Sequence, residues 1–307
     1  MNPIEFRREL HRHPELSFAE YNTAEFIESA LAAEGIACRR VADTGVLAVL
    51  EGRGDTKRAV VLRADIDALP ITEATGLEYA SENEGVMHAC GHDFHTASLL
   101  GAALLLARTE DQTGSVDLVF QPAEETTGGA KDLCATGIFK QYNVKAIFGL
   151  HLWPGLKAGT VFSRENELMS RSCEVNVDVF GKSAHIAKAA EGVDSLMAGA
   201  EFYTRAMEME RQIPAGVFRL LKFGKFESGT VRNALSAHTH MEGSLRAFQD
   251  EIFDSLKDGL FAIGRDLERE MGCRVEISIN SGYPAVLNPD DVYDKVCGIV
   301  PVKELAE

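Results

Sequence analysis

The sequence predicts an α/β protein: a mostly parallel sheet with helices on both faces, interrupted by an inserted ferredoxin-like β-α-β-β-α-β unit. Three observations predict it. Short apolar runs alternate with helical patterns through the first half, and a strongly apolar helix separates two of those runs. Near Met169 the rhythm then changes to strict alternation of apolar and polar residues. Short continuous apolar strands joined by helices belong to parallel sheets covered on both faces, whereas alternation belongs to strands with one wet face.

In chain order, residues 20–34 carry Ala24, Ile27 and Leu31 at helical spacing and stop before Gly35. Extended runs follow at 45–50, 59–63, 116–120 and 146–150, with the apolar helix at 96–108 between the second and third. Over 173–180, Val175, Val177 and Val179 alternate with Glu174, Asn176 and Asp178. A helix over 194–212, strands at 217–226 and 237–245, an amphipathic helix over 250–271 and a strand at 274–279 complete that unit. The expected domains are therefore 1–168 plus 284–307 for the sheet domain and 169–283 for the insertion. After the insertion come a turn at Pro284, Asn288 and Pro289 and a short helix at 290–299.

The charge balance, 47 acidic against 31 basic residues and a net −16, argues against nucleic acid as a partner, because phosphate binding needs a basic face. An anionic substrate would need local cations such as Arg246. The first residues lack a signal peptide's apolar core, and no apolar run approaches the roughly 18 residues of a membrane span. The six cysteines are scattered without a disulfide framework and read as reduced thiols. A cytoplasmic protein without a membrane partner is expected.

Three expected strands end in polar residues suited to metal chemistry. The run 59–63 leads into Ala64-Asp65-Ile66-Asp67, 116–120 leads into Gln121-Pro122-Ala123-Glu124-Glu125, and 146–150 leads into His151. Ligands bind outside the carboxyl ends of strands in open α/β sheets, so these groups should converge. The densest cluster is Met87-His88-Ala89-Cys90-Gly91-His92-Asp93-Phe94-His95, where a thiol and an imidazole two residues apart open the apolar helix. Divalent ions accept thiolate, imidazole and carboxylate together. A structural zinc knot would need paired CxxC spacing, which is missing, and thiol redox chemistry at Cys90 lacks the same partner.

The pair Glu124-Glu125 suggests a division of labour, one carboxylate holding metal while the other moves a proton. An isolated Glu-Glu is usually a solvated pair; here it follows an apolar strand and a proline and precedes Gly128-Gly129. That Gly-Gly step is no phosphate loop, because the GxxxxGK[ST] frame is missing. His11 and His13 read as structural. A strand-end aspartate can cap a helix or a turn, but Asp67 is favoured as the group that orients a ligand histidine.

Leu-His-Arg-His-Pro-Glu-Leu-Ser, Arg-Ala-Asp-Ile-Asp-Ala-Leu-Pro, Met-His-Ala-Cys-Gly-His-Asp, Gln-Pro-Ala-Glu-Glu and Gly-Leu-His, taken together and in order, resemble the aminoacylase/carboxypeptidase family of two-metal hydrolases. The branch is that of hippurate hydrolases, auxin-conjugate hydrolases and N-acyl amino acid amidohydrolases. The resemblance implies two divalent ions (zinc or manganese, with cobalt or nickel as alternatives) on Cys90, His92, Glu125 and His151, with Glu124 as general base toward a metal-activated water. It implies that the insertion is a lid that mediates homodimerisation. Gly181-Lys182-Ser183-Ala184-His185 looks like the family's substrate-polarising motif, and the segments ending in Asn233 and Arg246 look like its substrate-carboxylate motifs.

The implied activity is hydrolysis of the amide bond of N-acyl amino acids or related small acyl conjugates, with the acyl group left open. A dipeptidase or carboxypeptidase of the same family and a truncated, non-catalytic chain are the rival readings. The sequence departs from the family in two places. Asn233 is followed by Ala-Leu-Ser where the family has Val-Ile-Pro. The family's catalytic domain also continues past a Glu-Asp-Phe motif to a last metal-ligand histidine, but no histidine follows His240. A C-terminally truncated catalytic domain is the corresponding expectation.

Overall fold

The computed structural model describes residues 1–54, 58–109, 112–126, 128–280 and 282–305. They form two compact units, Met1–Lys157 and Ala158–Glu307.

The first unit opens with α1 (Pro3–Arg12), whose start is fixed by a capping box between Asn2 and Glu5. Helix α2 (Tyr21–Ala33) buries Ala24, Ile27 and Leu31, the residues that gave its period. Strands β1 (Cys38–Val41) and β2 (Gly45–Leu50) follow, then β3 (Ala59–Asp65), α3 (His92–Leu106) and β4 (Ser115–Gln121). Two short helices, α4 (Gly129–Ala135) and α5 (Ile138–Gln141), lead into β5 (Val144–Gly149).

The sheet order is β1-β2-β4-β3-β5. Strand β3 runs parallel to both β4 and β5, while β1–β2 and β2–β4 are antiparallel. The α/β class holds, with a mixed sheet. Its antiparallel part comes from a tight reversal at Ala42 and Asp43, both with positive φ (48° and 66°), which folds β2 back on β1. Alternation along the strands then divides the core. Leu118 and Phe120 pack with Phe6, Ile27, Leu31 and Leu100 on one face, and Val119 packs with Leu47, Val61, Leu133 and Ile138 on the other. Each such side chain contributes about 1.5–3 kcal/mol of burial.

The second unit begins with β6 (Val161–Ser163) and β7 (Asn166–Met169), then β8 (Arg171–Phe180), a 3-10 turn at Ile186–Glu191, α6 (Ser195–Gln212), β9 (Arg219–Ser228), β10 (His238–Ala247), α7 (Asp250–Met271) and β11 (Arg274–Ile279). The four long strands form an antiparallel sheet of order β11-β8-β10-β9. This is the β-α-β-β-α-β order read from the alternation. Val175, Val177, Val179, Met241 and Leu245 meet Phe202, Phe253 and Leu260 of the two helices in one core. The chain ends with β12 (Val286–Asn288), α8 (Asp290–Ile299) and β13 (Val302–Glu304). β12 pairs with β7 and β13 with β6, so the two stretches flanking the inserted unit are joined to each other.

Candidate metal centre

The site is built at the carboxyl ends of three neighbouring strands of the first unit. Asp65 closes β3 opposite Gln121 of β4, and Arg63 of β3 lies opposite Gly149 of β5. The segments 65–67, 122–125 and 150–152 therefore leave the sheet side by side. Gly91, at φ 86°, turns the chain into α3 so that His92 is the first helical residue. A Cβ at Gly91 would be strained in that conformation and would sit 3.0 Å from Leu152 Cδ1, so glycine is required.

His92 is the hub. Its side chain is fully buried, and Nδ1 faces the Asp67 carbonyl at 2.9 Å and Asp67 Oδ1 at 3.2 Å. Both partners are acceptors, so Nδ1 carries the proton and Nε2 holds a lone pair. That atom has no hydrogen-bond partner. Around it stand Asp65 Oδ2 at 3.6 Å, Glu125 Oε1 at 3.7 Å and Glu124 Oε2 at 3.9 Å, and Glu125 Oε1 is itself buried and unpartnered. Buried acceptors facing one another without donors call for a cation. Burial disfavours the imidazolium of His92, but the Asp67 hydrogen bond and the charges of Asp65, Asp67 and Glu124 outweigh it and raise its pKa, so the surroundings that favour a proton at Nε2 equally favour a metal cation there.

Cys90, His92 and His151 each offer a donor atom within 4.8 Å of the others, as do His92, Glu124 and Glu125. Cys90 Sγ lies 3.5 Å from His151 Nε2, while His151 Nδ1 is turned to the Leu152 carbonyl at 2.5 Å, leaving Nε2 as the inward atom. Burial first, and then the carboxylates of Glu125, Glu124 and Asp65, push the Cys90 thiol up to about 12. Without a cation this thiol stays protonated at neutral pH, which argues against a free nucleophilic or redox cysteine. Soft and borderline donors beside carboxylates form a set that suits a divalent transition metal, so the residues fit such an ion.

A third group, Asp65, His92 and His95, is equally close but differently committed. His95 Nε2 accepts the Leu152 N–H at 2.9 Å, so Nδ1 carries the proton and donates to Asp65 Oδ1 at 2.6 Å. Arg63 donates to Asp65 Oδ2 at 2.8 Å. Burial alone would raise the Asp65 carboxyl, yet His95, Arg63 and His92 hold it far below the usual range. His95 thus straps the segment that carries His151 to the end of β3. Asp65 and His95 both stand in segments the sequence marks for metal chemistry, but their pairing with each other spans thirty positions and has no local motif. Asp67 receives His92 Nδ1–H, Ser17 Oγ–H at 2.7 Å and Glu125 N–H at 3.0 Å.

His11 is buried among acidic partners, Asp93 at 2.9 Å and Glu73 at 3.2 Å, and Arg7 adds a second bond to Asp93. It ties α1 to the first turn of α3, a structural role. In the second unit, His185 caps the 3-10 turn by accepting the Ala187 N–H at Nδ1, 3.2 Å away. It bridges Ala234, and Ile186 N–H donates to the Asn233 carbonyl at 3.1 Å, so His185 and Asn233 are brought together. Arg246 is not. It pairs opposite Ser172, eight positions along β10 from His238, whose partner Phe180 leads into the His185 loop. At about 3.4 Å per residue that is roughly 27 Å of strand. Within this unit, Arg246 therefore stands well along β10 from the turn that holds Asn233.

Comparison with known proteins identifies the family. The model of peptidase family M20/M25/M40 matches residues 61–301. An N-acetyl-L-cysteine deacetylase of Bacillus subtilis (strain 168) is 37% identical over 292 residues, covering 94% of this chain and 70% of that protein. An N-acetyldiaminopimelate deacetylase of Lacticaseibacillus casei is 34% identical, covering 93% of this chain and 76% of the relative. A crystal structure from Bacillus subtilis, described as a dinuclear metal-binding peptidase of the M20 family, superposes with a TM-score of 0.81 at 32% identity, over 99% of this chain and 80% of that one. With its motifs at the ends of adjacent strands and the family model spanning most of its length, this chain belongs to peptidase family M20/M25/M40.

Proposed function

We propose that this protein hydrolyses the amide bond of N-acyl amino acids, with an N-acetyl group as the first candidate because two similar proteins are deacetylases. The observation that carries the reading is the unspent lone pair of buried His92 facing three carboxylates. Cys90, His92, Glu125 and His151 would hold two divalent ions, with zinc or manganese fitting this donor set best. Such ions supply Lewis acidity, lowering the pKa of water and polarising a carbonyl.

The remaining work belongs to side chains. Glu124 takes the proton of the attacking water and returns it to the departing nitrogen. Burial, with Asp65 and Glu125 nearby, raises its carboxyl against the pull of His92 and Arg63, which suits a group that must both accept and release a proton. Asp67 fixes the His92 tautomer, and His95 with Asp65 fixes the segment before Leu152. His185 is proposed to polarise the scissile carbonyl and Asn233 to bind the substrate carboxylate, readings supported by their proximity to each other.

The division into 1–168 plus 284–307 and a lid at 169–283 is supported by the pairing of β12 and β13 with β7 and β6. Homodimerisation through the lid is supported by β9, an edge strand that carries the half-exposed Phe226 and follows the half-exposed Phe218. A cytoplasmic location is supported by six free cysteines. The test is metal analysis followed by assays on N-acetyl amino acids and dipeptides. Release of the free amino acid, lost on chelation and restored by a divalent ion, is expected. Turnover that survives complete metal removal would overturn the proposal, and preference for dipeptides would move it to a peptidase.

A further inference from the structure

The turn after β4 holds Ala123 at φ +49°, a left-handed conformation that alanine does not favour, and Ala123 is almost wholly buried. Its surroundings must therefore impose that shape. Its N–H donates to Glu20 Oε1 at 2.8 Å. Glu20 lies just before α2 and has no exposed surface; its other oxygen accepts from Thr44 Oγ1 at 2.6 Å, and Thr44 is equally buried. No cation pairs with Glu20 among the described residues, so the carboxylate is satisfied by these two donors. Burying an acid this way is costly, and a neutral side chain would avoid the cost.

The neighbouring peptide is held in the same fashion, since Glu125 N–H donates to buried Asp67. Behind the turn, Gly129 presses so close that a Cβ there would lie 1.9 Å from the Pro122 carbonyl oxygen and 2.9 Å from that of Ala123. The backbone on both sides of Glu124 is thus tied to buried carboxylates, one from the loop before α2 and one from the end of β3. The Glu124 side chain, by contrast, is exposed.

We infer that Glu20 is a positioning residue: it locks Ala123 in its left-handed conformation and so aims the Glu124 carboxylate. This rests on the reading of Glu124 as the base. Without the tether Ala123 relaxes toward negative φ, and a displacement near 1 Å at a reacting group costs about 100-fold in rate.

The test compares wild type with E20M, which keeps side-chain length but cannot accept through oxygen, and E20Q, which keeps an acceptor for Ala123 and offers an amide to Thr44 Oγ1. Substrate is one N-acetyl amino acid, with metal content and exchange of the Ala123 amide measured alongside. E20M is expected to lose about 30–100-fold in kcat with KM within about twofold and metal unchanged. Its Ala123 amide should exchange at least about tenfold faster relative to amides in β4. E20Q should stay within about fivefold of wild type. Wild-type kcat and amide protection in E20M would overturn the inference, as would loss of metal together with kcat. Should E20M fail to fold, E20Q decides: near-wild-type kcat with a protected amide supports the tether, and a 100-fold loss with the amide still protected overturns it. Full activity in E124Q would instead overturn the base assignment, leaving the exchange result to judge the tether alone.

Discussion

His92 and His240 both sit among carboxylates, and they differ in what their nitrogens have left to offer. His92 is buried, spends Nδ1 on Asp67 and leaves Nε2 without a donor amid Asp65, Glu124 and Glu125. His240, on the open face of the second unit's sheet, faces Asp178 with Nδ1 at 2.8 Å and Glu242 with Nε2 at 3.0 Å. Only the imidazolium can donate at both positions, and the Asp178 hydrogen bond raises the His240 pKa accordingly. Both places set imidazole against carboxylates. Burial and an unspent lone pair make one a cation site and leave the other a solvated ion cluster.

The largest expected contrast breaks that comparison directly. His92→Ala should abolish stable metal loading and activity, whereas His240→Ala should leave both within about twofold, as surface pairs predict. Metal analysis after gel filtration checks both variants. Glu124→Gln separates holding from chemistry: metal should stay while kcat falls about 10²–10⁴-fold. Asp67→Asn, which disturbs the tautomer of His92 but removes no metal donor, should cost about 10–100-fold in metal affinity or activity, measured by competition with a chelator.

Much of the first site was legible because its residues stand at strand ends within short motifs. Cys90 and His92 open one helix, Glu124 and Glu125 follow a buried strand, and His151 follows another. What stayed hidden depends on contacts between distant segments. Nothing local marks His95 as Asp65's partner, Glu20 as an anchor for Ala123, or β13 as a mate for β6. The expected helix at 96–108 begins at His92 instead, because the polar first turn is buried and escapes an apolar-periodicity reading. The separation of Arg246 from Asn233 is likewise set by the register of β10, which neither motif records.

Asp117 sharpens the role of burial from a third direction. It sits on β4 between apolar neighbours with Oδ1 unpartnered, and burial alone pushes its carboxyl up from 3.8 to about 6. The folded state therefore binds the proton more tightly than the unfolded chain, and the stability this gives is present below pH 4 and lost as pH rises through 6. Asp117→Asn should stabilise the protein by on the order of 2 kcal/mol at pH 7.5 and by little at pH 4. Denaturant titration at the two pH values checks it. The smallest effect belongs to His240. Its raised pKa means a contribution present below about 6.5 and lost at higher pH, worth no more than about 0.5 kcal/mol on an exposed face.

The most direct measurement is calorimetric titration of the metal-stripped protein with zinc at pH 7, in buffers of different ionisation enthalpy, to count the protons released. Cys90 holds its proton up to about 12 without a cation, so its recruitment as a ligand must expel that proton. Wild type should bind zinc and release at least one proton more per chain than Cys90→Ser, while His240→Ala should match wild type. Zinc binding with equal proton release in wild type and Cys90→Ser, or undiminished binding in His92→Ala, would contradict a metal centre built on these two residues.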